Sequence, residues 1–540
     1  MLTSLNAWLM VGGFLLLLSG AVLLFLNLLI WLLVRKAEPV WSFLRSVSRS
    51  MKEGAADNPD MKRLVSAHPV FFGFIKRRLN REVFSGLPAT LLGLAFCYVF
   101  FLYLGSVEDF LTADPIVIAD ARIANLLYSF RNPLLTRMML WVTLLGKWQV
   151  CAGATLSISA ILLFRGPMAH AIGLWVSVLG SVLFSQLGKM AFHRPRPPVA
   201  EYIESTWSFP SGHATISTAL YGFIIFLIWR FGRNWKTGIL TSSFLTFVIL
   251  SIGFSRLYLG VHYLSDVWSG YLVGLLWLII GLSVAEVLGS RPKTSGSGAV
   301  FLQRYARTIS TGIGVLLAIF YLVTGLNYDP PKNVVPSTPG VVVTGDILKA
   351  FADKNLSPAT ETITGGPQEP MSFIILARDE EQLIETFSGA KWFLAASDSL
   401  PALVTAARSA LYNLQDTVAP MTPSFWEGRP HDYGFQKPLP DTGLRKRHHA
   451  RFWKTPFTDA SGRKYFVGTA SLDNGMKWLI THIISPDLDT EREFLFHDLV
   501  STGEVKVIGK EVLVGPSLGK NFAGDPFFTD GMIYILDLAE

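Results

Sequence analysis

From Trp8 to Leu326 the chain repeats one pattern, an apolar run followed by a short polar or basic stretch. About 20 apolar residues is the length that carries an α-helix across the hydrocarbon core of a bilayer. No water reaches backbone N–H and C=O groups there, so such a run folds as a helix that closes its own hydrogen bonds. The runs predict about eight spans, roughly 8–34, 86–105, 148–164, 168–188, 213–230, 238–254, 263–285 and 308–326. The first is too long for a signal-peptide core and lacks a charged leader and a small-residue cleavage site, so it reads as a retained anchor.

The net charge of +7 would suit a nucleic-acid binder. Its distribution excludes that partner, because Lys and Arg gather beside the apolar runs as the positive-inside rule requires. The stretch 35–85 is densely basic, from Arg35 to Arg81, and is expected in the cytoplasm. The next loop, about 106–147, opens with Glu108, Asp109 and Asp114 and is expected outside. Arg165, then Arg230, Arg233 and Lys236, then Arg291, Lys293, Arg304 and Arg307 mark the later inside turns. This alternation puts the N-terminus, the loops 189–213 and 255–266 and the C-terminal domain on the outer side; for the expected location, a bacterial inner membrane, that is the periplasmic side. Within the loop 106–147, Ile116–Tyr128 reads as an amphipathic helix on the bilayer surface or as a segment packed on the bundle.

At 540 residues the chain exceeds one ordinary domain. It reads as an all-α polytopic membrane helix bundle followed by a soluble α+β domain. The divisions are 1–85 (anchor and basic loop), 86–285 (helix bundle), 286–340 (linker with a last transmembrane helix) and 341–540 (soluble domain). Gly and Ser in 286–305 and the prolines of 328–340 mark two flexible connections. In the soluble part, Gly345–Asn355, Leu400–Leu414 and Asp489–Val500 read as helices and Phe373–Ala377 as a strand. Tyr465–Ser471 and Lys477–Ile484 read as strands joined by an Asp473-Asn474-Gly475 turn. The two cysteines, Cys97 and Cys151, lie in or beside spans and make no disulfide framework or metal-binding pattern.

Three polar blocks stand at the ends of apolar runs. Lys189 closes one span, and Pro195 and Pro197 then stop the helix and fix Arg196 on a turn. Pro210-Ser211-Gly212-His213 starts another. Ser211 suits an N-cap, Gly212 lets a ligand approach the backbone, and the free N–H groups of a first helical turn bind anions. His213 lies beside that anion site, placed to give a proton to a leaving oxygen. In the third block, Arg256 precedes His262, which has Asp266 four residues on. On a helix the two share a face, and the carboxylate would set the imidazole tautomer. Each block alone has an ordinary reading: a snorkelling anchor, a capped helix, a membrane-end ion pair. Together, in this order and at one membrane face, they make a site that can hold a phosphoryl group and transfer it through a histidine.

With these positions the sequence resembles the type-2 phosphatidic acid phosphatase/vanadium haloperoxidase superfamily over roughly 86–285. The resemblance implies that His262 attacks phosphorus, that Asp266 orients it and that His213 protonates the leaving alkoxide. It further implies that Lys189, Arg196 and Arg256, with Ser211 and Gly212, hold the phosphoryl oxygens, and that no cofactor or metal is needed. His193 and Arg194 stay unassigned. The expected substrate is a membrane lipid phosphate or pyrophosphate within the bilayer; no protein partner is indicated. The alternatives are a lipid phosphotransferase using the same histidine and a vanadate-dependent haloperoxidase. Farther on, Thr422-Pro423, Trp426, Gly428-Arg429-Pro430-His431-Asp432, Phe435-Gln436 and Arg447–Trp453 resemble an LssY-type C-terminal domain, which implies no settled activity. His431, His448, His449, His482 and Asp487 could suggest a metal site. His448 and His449, as neighbours on a strand, would face opposite sides, which argues against it.

Overall fold

The computed structural model describes residues 39–538, except 40–41, 44, 52, 55–56, 166–167, 233, 290–298, 335–339, 397–417, 440–445, 478–480 and 522–523. The expected anchor 8–34 and the helix Leu400–Leu414 lie outside the described residues. The chain divides into two compact units, one built on the apolar helices and one holding Thr112–Asn132, Pro197–Ala200 and the chain from Asn333 onward.

Two short helices, α1 (Pro59–Ala67) and α2 (Pro69–Arg78), open the first unit. Each begins with proline at a position where its missing N–H costs nothing, and the Asn58 side chain caps α1 by accepting from Asp60 N. The membrane-length segments follow as α3 (Leu87–Thr112), α5 (Pro133–Leu144) with α6 (Trp148–Arg165), α7 (Met168–Phe192), α8 (Gly212–Phe231), α9 (Trp235–Tyr258) and α10 (Leu264–Gly289). Six helical segments among the described residues are long and apolar enough to cross a membrane, with Pro133–Phe164 counted as one, and Ser310–Leu326 is a shorter apolar piece.

Two sequence expectations need correction here. The loop expected to run to 147 already holds α5 from Pro133, which with α6 makes one membrane-length segment, Pro133–Phe164, while the run expected at 148–164 is α6 itself. The flexible connection expected at 286–305 is already helical from Ala299, where α11 (Ala299–Leu326) starts. Residues 299–307 contain no glycine or proline, and their helix formers outweigh the loop signal before them.

Helix α10 packs against α7 and α8 through glycines. A Cβ on Gly281 would sit 2.6 Å from Gly173 O, and one on Gly270 would sit 2.6 Å from Ser211 O. Helices approach this closely only where side chains are missing. Gly270→Ala is therefore expected to push α8 away from α10 at the end that carries Ser211 and His213. Turnover should fall roughly 10–100-fold although no polar group is lost. Wild-type kcat in a folded Gly270→Ala protein would refute this.

The second unit is built on a nine-stranded mixed sheet. The path runs Val505–Val512, Met532–Leu538, Phe373–Ala377, Lys464–Lys477, Arg447–Thr458, Tyr433–Pro438 and Phe393–Leu394. Neighbours on it are antiparallel except Met532–Leu538 with Phe373–Ala377. Alternation along the strands feeds two cores. Phe373, Ile375, Phe452 and Phe466 pack on one face with Leu495 and Leu499; Ile374, Leu376, Trp453 and Val467 pack on the other with Phe351 and Trp426.

Phe373–Ala377 is a strand as expected, and the helices Ile347–Asp353 and Leu488–Val500 match two of those read from sequence. The hairpin turn expected at Asp473-Asn474-Gly475 is not there. The strand runs on to Lys477, with a register shift between Asp473 and Gly475. Asp473 is held inside the sheet opposite Arg447, and that pairing overrides the local turn preference. Ile116–Tyr128 does form a helix, α4 (Pro115–Ser129), but it belongs to this second unit rather than to the bundle. Arg122 Nε donates to Glu361 at 3.1 Å and Asn125 Nδ2 to Gly428 O at 2.9 Å.

Candidate active site

Four helix ends of the first unit supply the residues singled out in the sequence. Lys189 sits in the last turn of α7, Ser211-Gly212-His213 at the start of α8, Arg256 in the last turn of α9, and Asp266 in the first turn of α10. His262 does not lie on a helix, as the four-residue spacing had suggested. It stands in the tight turn between α9 and α10, where Gly260 takes a φ of 62°. The spacing still brings the pair together: His262 Nδ1 is 3.3 Å from Asp266 Oδ2, with both side chains buried.

The two imidazole nitrogens of His262 face chemically opposite partners. Nδ1 faces a carboxylate. Nε2 lies 3.2 Å from Arg196 Nη1, and a guanidinium can only donate. This places the proton on Nδ1 and the lone pair on Nε2. Burial, then the cations Arg196, Lys189 and Arg256, push the His262 imidazole well below the usual histidine range, which keeps that lone pair unprotonated.

Arg196 is fixed by its surroundings. Its Nε donates to Thr206 O at 2.8 Å and its Nη1 to Val261 O at 2.6 Å. Lys189 Nζ donates to Trp207 O on the same loop. Arg256 is fully buried, donating to Thr143 Oγ1 at 2.9 Å, to the Tyr202 hydroxyl and to Glu204 Oε1 at 2.7 Å. Lys189, Arg196 and Arg256 lie within electrostatic reach of one another, and His213 lies within reach of all three and of His262. Ser211 occupies the N-cap position, yet its hydroxyl does not cap the helix. The Ser211 Oγ is buried without a hydrogen bond among the described residues, while its N–H donates to Asp266 O at 2.9 Å. A Cβ on Gly212 would meet Ser185 Oγ at 3.6 Å and Lys189 Cε at 4.0 Å, which is ordinary contact. The glycine faces the lysine without being required by sterics.

Sequence reasoning missed three contributing side chains, Arg194, Ser208 and Glu204, and one backbone donor, Tyr263 N. Arg194, left unassigned, donates through Nη1 to Asp266 Oδ1 at 2.6 Å and to Ser265 Oγ at 2.7 Å. Ser208 donates to Asp266 Oδ2, and Tyr263 N donates to the same oxygen at 2.9 Å. Glu204 places a carboxylate among the cations. Although burial opposes it, Arg256 and Arg196 hold that carboxyl below its ordinary range. The Arg-Pro-Arg-Pro repeat at 194–197 was a usable signal for Arg194; Ser208 and Glu204 carried none. Outside the site, His448 pairs with Glu491 at 2.8 Å and His449 with Asp473 at 3.0 Å, on opposite faces of the sheet. Asp487 caps a helix by accepting from Thr490 N, and the His482 side chain lies outside the described residues.

A cage of three cations, a helix start and a neutral, oriented imidazole can hold a tetrahedral oxyanion and present a nucleophile to its centre. All eight residues lie within 170–288, the stretch that matches the family model described as PAP2 superfamily. Residues 353–533 match the model described as LssY C-terminus. The chain is a multi-pass membrane protein that carries a PAP2 superfamily domain followed by an LssY C-terminal domain.

Among its relatives is phosphatidylglycerophosphatase B of Bacillus subtilis, 29% identical over 181 residues, which are 33% of this chain and 88% of that protein. Another is lipid A 4'-phosphatase of Bacteroides thetaiotaomicron, 29% identical over 150 residues, 26% of this chain and 63% of the relative. Among solved structures, the transmembrane PAP2-type phosphatidylglycerolphosphate phosphatase from Bacillus subtilis aligns at 24% identity. The alignment covers 35% of this chain and 94% of that one, with a TM-score of 0.32.

Proposed function

We propose that this protein is an integral-membrane lipid phosphatase that hydrolyses a phosphate monoester or pyrophosphate of a lipid through a phosphohistidine. The observation that carries the reading is the pair of partners on His262, a carboxylate on Nδ1 and a donor-only guanidinium on Nε2. That pairing aims a lone pair into the cage of Lys189, Arg196 and Arg256. The named activities of the two relatives support a lipid-linked phosphate as substrate.

In the reaction, Nε2 attacks phosphorus, the P–N bond forms and the bond to the lipid oxygen breaks. His213 gives its proton to that oxygen. Asp266 stabilises the positive imidazole as it develops. Water then attacks the phosphohistidine, His213 takes the water's proton, the P–N bond breaks and inorganic phosphate leaves. Throughout, Lys189, Arg196, Arg256, the Ser211 hydroxyl and the helix-start N–H groups that follow Ser211 hold the phosphoryl oxygens. The phosphatase unit is taken as 86–285, between the basic segment 1–85 and the linker-and-helix segment 286–340, with the soluble domain at 341–540.

These cations and backbone donors supply the charge stabilisation that a metal supplies elsewhere, so the reaction is metal-independent. Phosphate release from a panel of lipid phosphates in detergent is expected to persist in EDTA and to be strongly inhibited by vanadate, which fits the same cage. Loss of activity on chelation, restored by a divalent ion, would refute the metal-independent reading.

The site and the C-terminal domain lie on one side of the inner membrane, the periplasmic one. Counting crossings from α3, the loops 113–132, 193–211 and 259–263 share a side, and the chain after α11 returns to it. The ion pair between Arg122, in the first of those loops, and Glu361 of the C-terminal domain independently supports this. An alkaline phosphatase fusion at the C-terminus should be active, and a reporter that folds only in the cytoplasm should stay dark. The reverse pattern would overturn the orientation.

A further inference from the structure

The second unit contains a buried polar floor that the proposed phosphatase does not use. On one sheet face, Trp453 and Val467 are apolar core. Two residues along the same strands, on that same face, the pairs become Arg451 with Thr469, His449 with Ser471, and Arg447 with Asp473. His449, Thr469, Ser471 and Asp473 are almost wholly buried. Burying such groups costs more than continuing the apolar core would, so the change of character calls for a function.

The floor opens into a cavity of about 40 Å³, whose lining includes Glu369, Thr422, Ser424, Arg451, Asp473 and Asn521. Arg451 Nε and Ser471 Oγ are buried without a hydrogen bond among the described residues. The lining selects its ligand by elimination. The carboxyl groups of Glu369 and Asp473 repel a phosphate or carboxylate. The Arg451 guanidinium repels an amine. An apolar group would leave Arg451 Nε, which has no hydrogen bond among the described residues, without a partner. Neutral hydroxyl groups satisfy both kinds of partner, donating to carboxylates and accepting from the guanidinium and amide.

We infer that this cavity binds a vicinal diol, the edge of a sugar ring or of a glycerol unit, in the C-terminal domain. The volume admits only about two or three oxygen-bearing positions, so the rest of the ligand stays in solvent. The inference stands apart from the proposed phosphatase activity, which can be assayed on the same preparation.

The test uses full-length protein in detergent and hydrogen–deuterium exchange of the peptides covering 367–370 and 447–458. Three probes are compared: methyl glucoside, short-chain phosphatidylglycerol and, as the diol-free lipid, short-chain phosphatidylcholine. Saturable protection by methyl glucoside alone assigns the site to free sugars, and protection by phosphatidylglycerol alone assigns it to lipid headgroups. In either case Ser424→Ala and Asp473→Asn should each weaken binding at least about 5-fold while lipid phosphate hydrolysis is retained. Ser424→Ala keeps the test valid if Asp473→Asn does not fold. No protection by either diol, equal protection by phosphatidylcholine, or undiminished binding in the folded Ser424→Ala variant would overturn the inference.

Discussion

His262→Ala is expected to abolish the phosphoenzyme and lower kcat by roughly 10,000-fold, with KM and the folded fraction little changed. The large factor follows from the geometry. His262 is the imidazole held between Asp266 and Arg196, so without it the remaining cage binds phosphate but loses that route to transfer it. The check is acid quenching with a labelled substrate. Wild-type protein should carry acid-labile, base-stable label, and the variant none. Near-normal turnover in the variant would sink the phosphohistidine reading. Hydrolysis without trapped label in the wild type, under conditions where the second step is slowed, would point the same way.

The second large effect is expected at Arg194, which acts through Asp266 rather than on the substrate. Asp266 is fully buried, and its Oδ1 depends on Arg194, while Oδ2 serves Ser208, Tyr263 N and His262. Removing the cation leaves a buried charge poorly compensated, a change worth about 3–5 kcal/mol. Arg194→Ala should therefore lose much of its folded fraction, and what remains folded should lose roughly 100-fold in kcat with KM nearly unchanged. Arg194→Lys keeps the charge but loses the planar fork, so it should recover part of the folding and less of the turnover. A purely structural role would leave kcat per folded molecule at the wild-type value, and that result would remove Arg194 from the positioning set.

Glu204 shows why such contacts escape a reading by pattern. No spacing rule predicts a carboxylate among phosphate-binding cations, and it is found only because the loop 193–211 folds back over α9 to bring Glu204 to Arg256. Ser208 is similar. A serine in a polar loop has no sequence signature until its hydroxyl is seen on Asp266. The Asp473-Asn474-Gly475 segment makes the complementary point, since its strong local turn preference lost to pairing across the sheet.

The apolar runs by themselves determined that the first part of this chain is a helix bundle, because backbone groups in hydrocarbon have no other way to be satisfied. The spacing of Lys189, Arg196, Ser211, Gly212, His213, Arg256, His262 and Asp266 determined which side chains gather at the candidate site, because each sits at or beside a helix end whose position the runs fix. Only the tertiary structure decided the rest. It placed a donor-only group on one nitrogen of His262 and a carboxylate on the other, tied Arg194 and Ser208 to Asp266, and joined α4 to the C-terminal unit. These are contacts between residues far apart in the chain or on irregular loops. They depend on side-chain direction in three dimensions, to which periodicity and local propensity are blind.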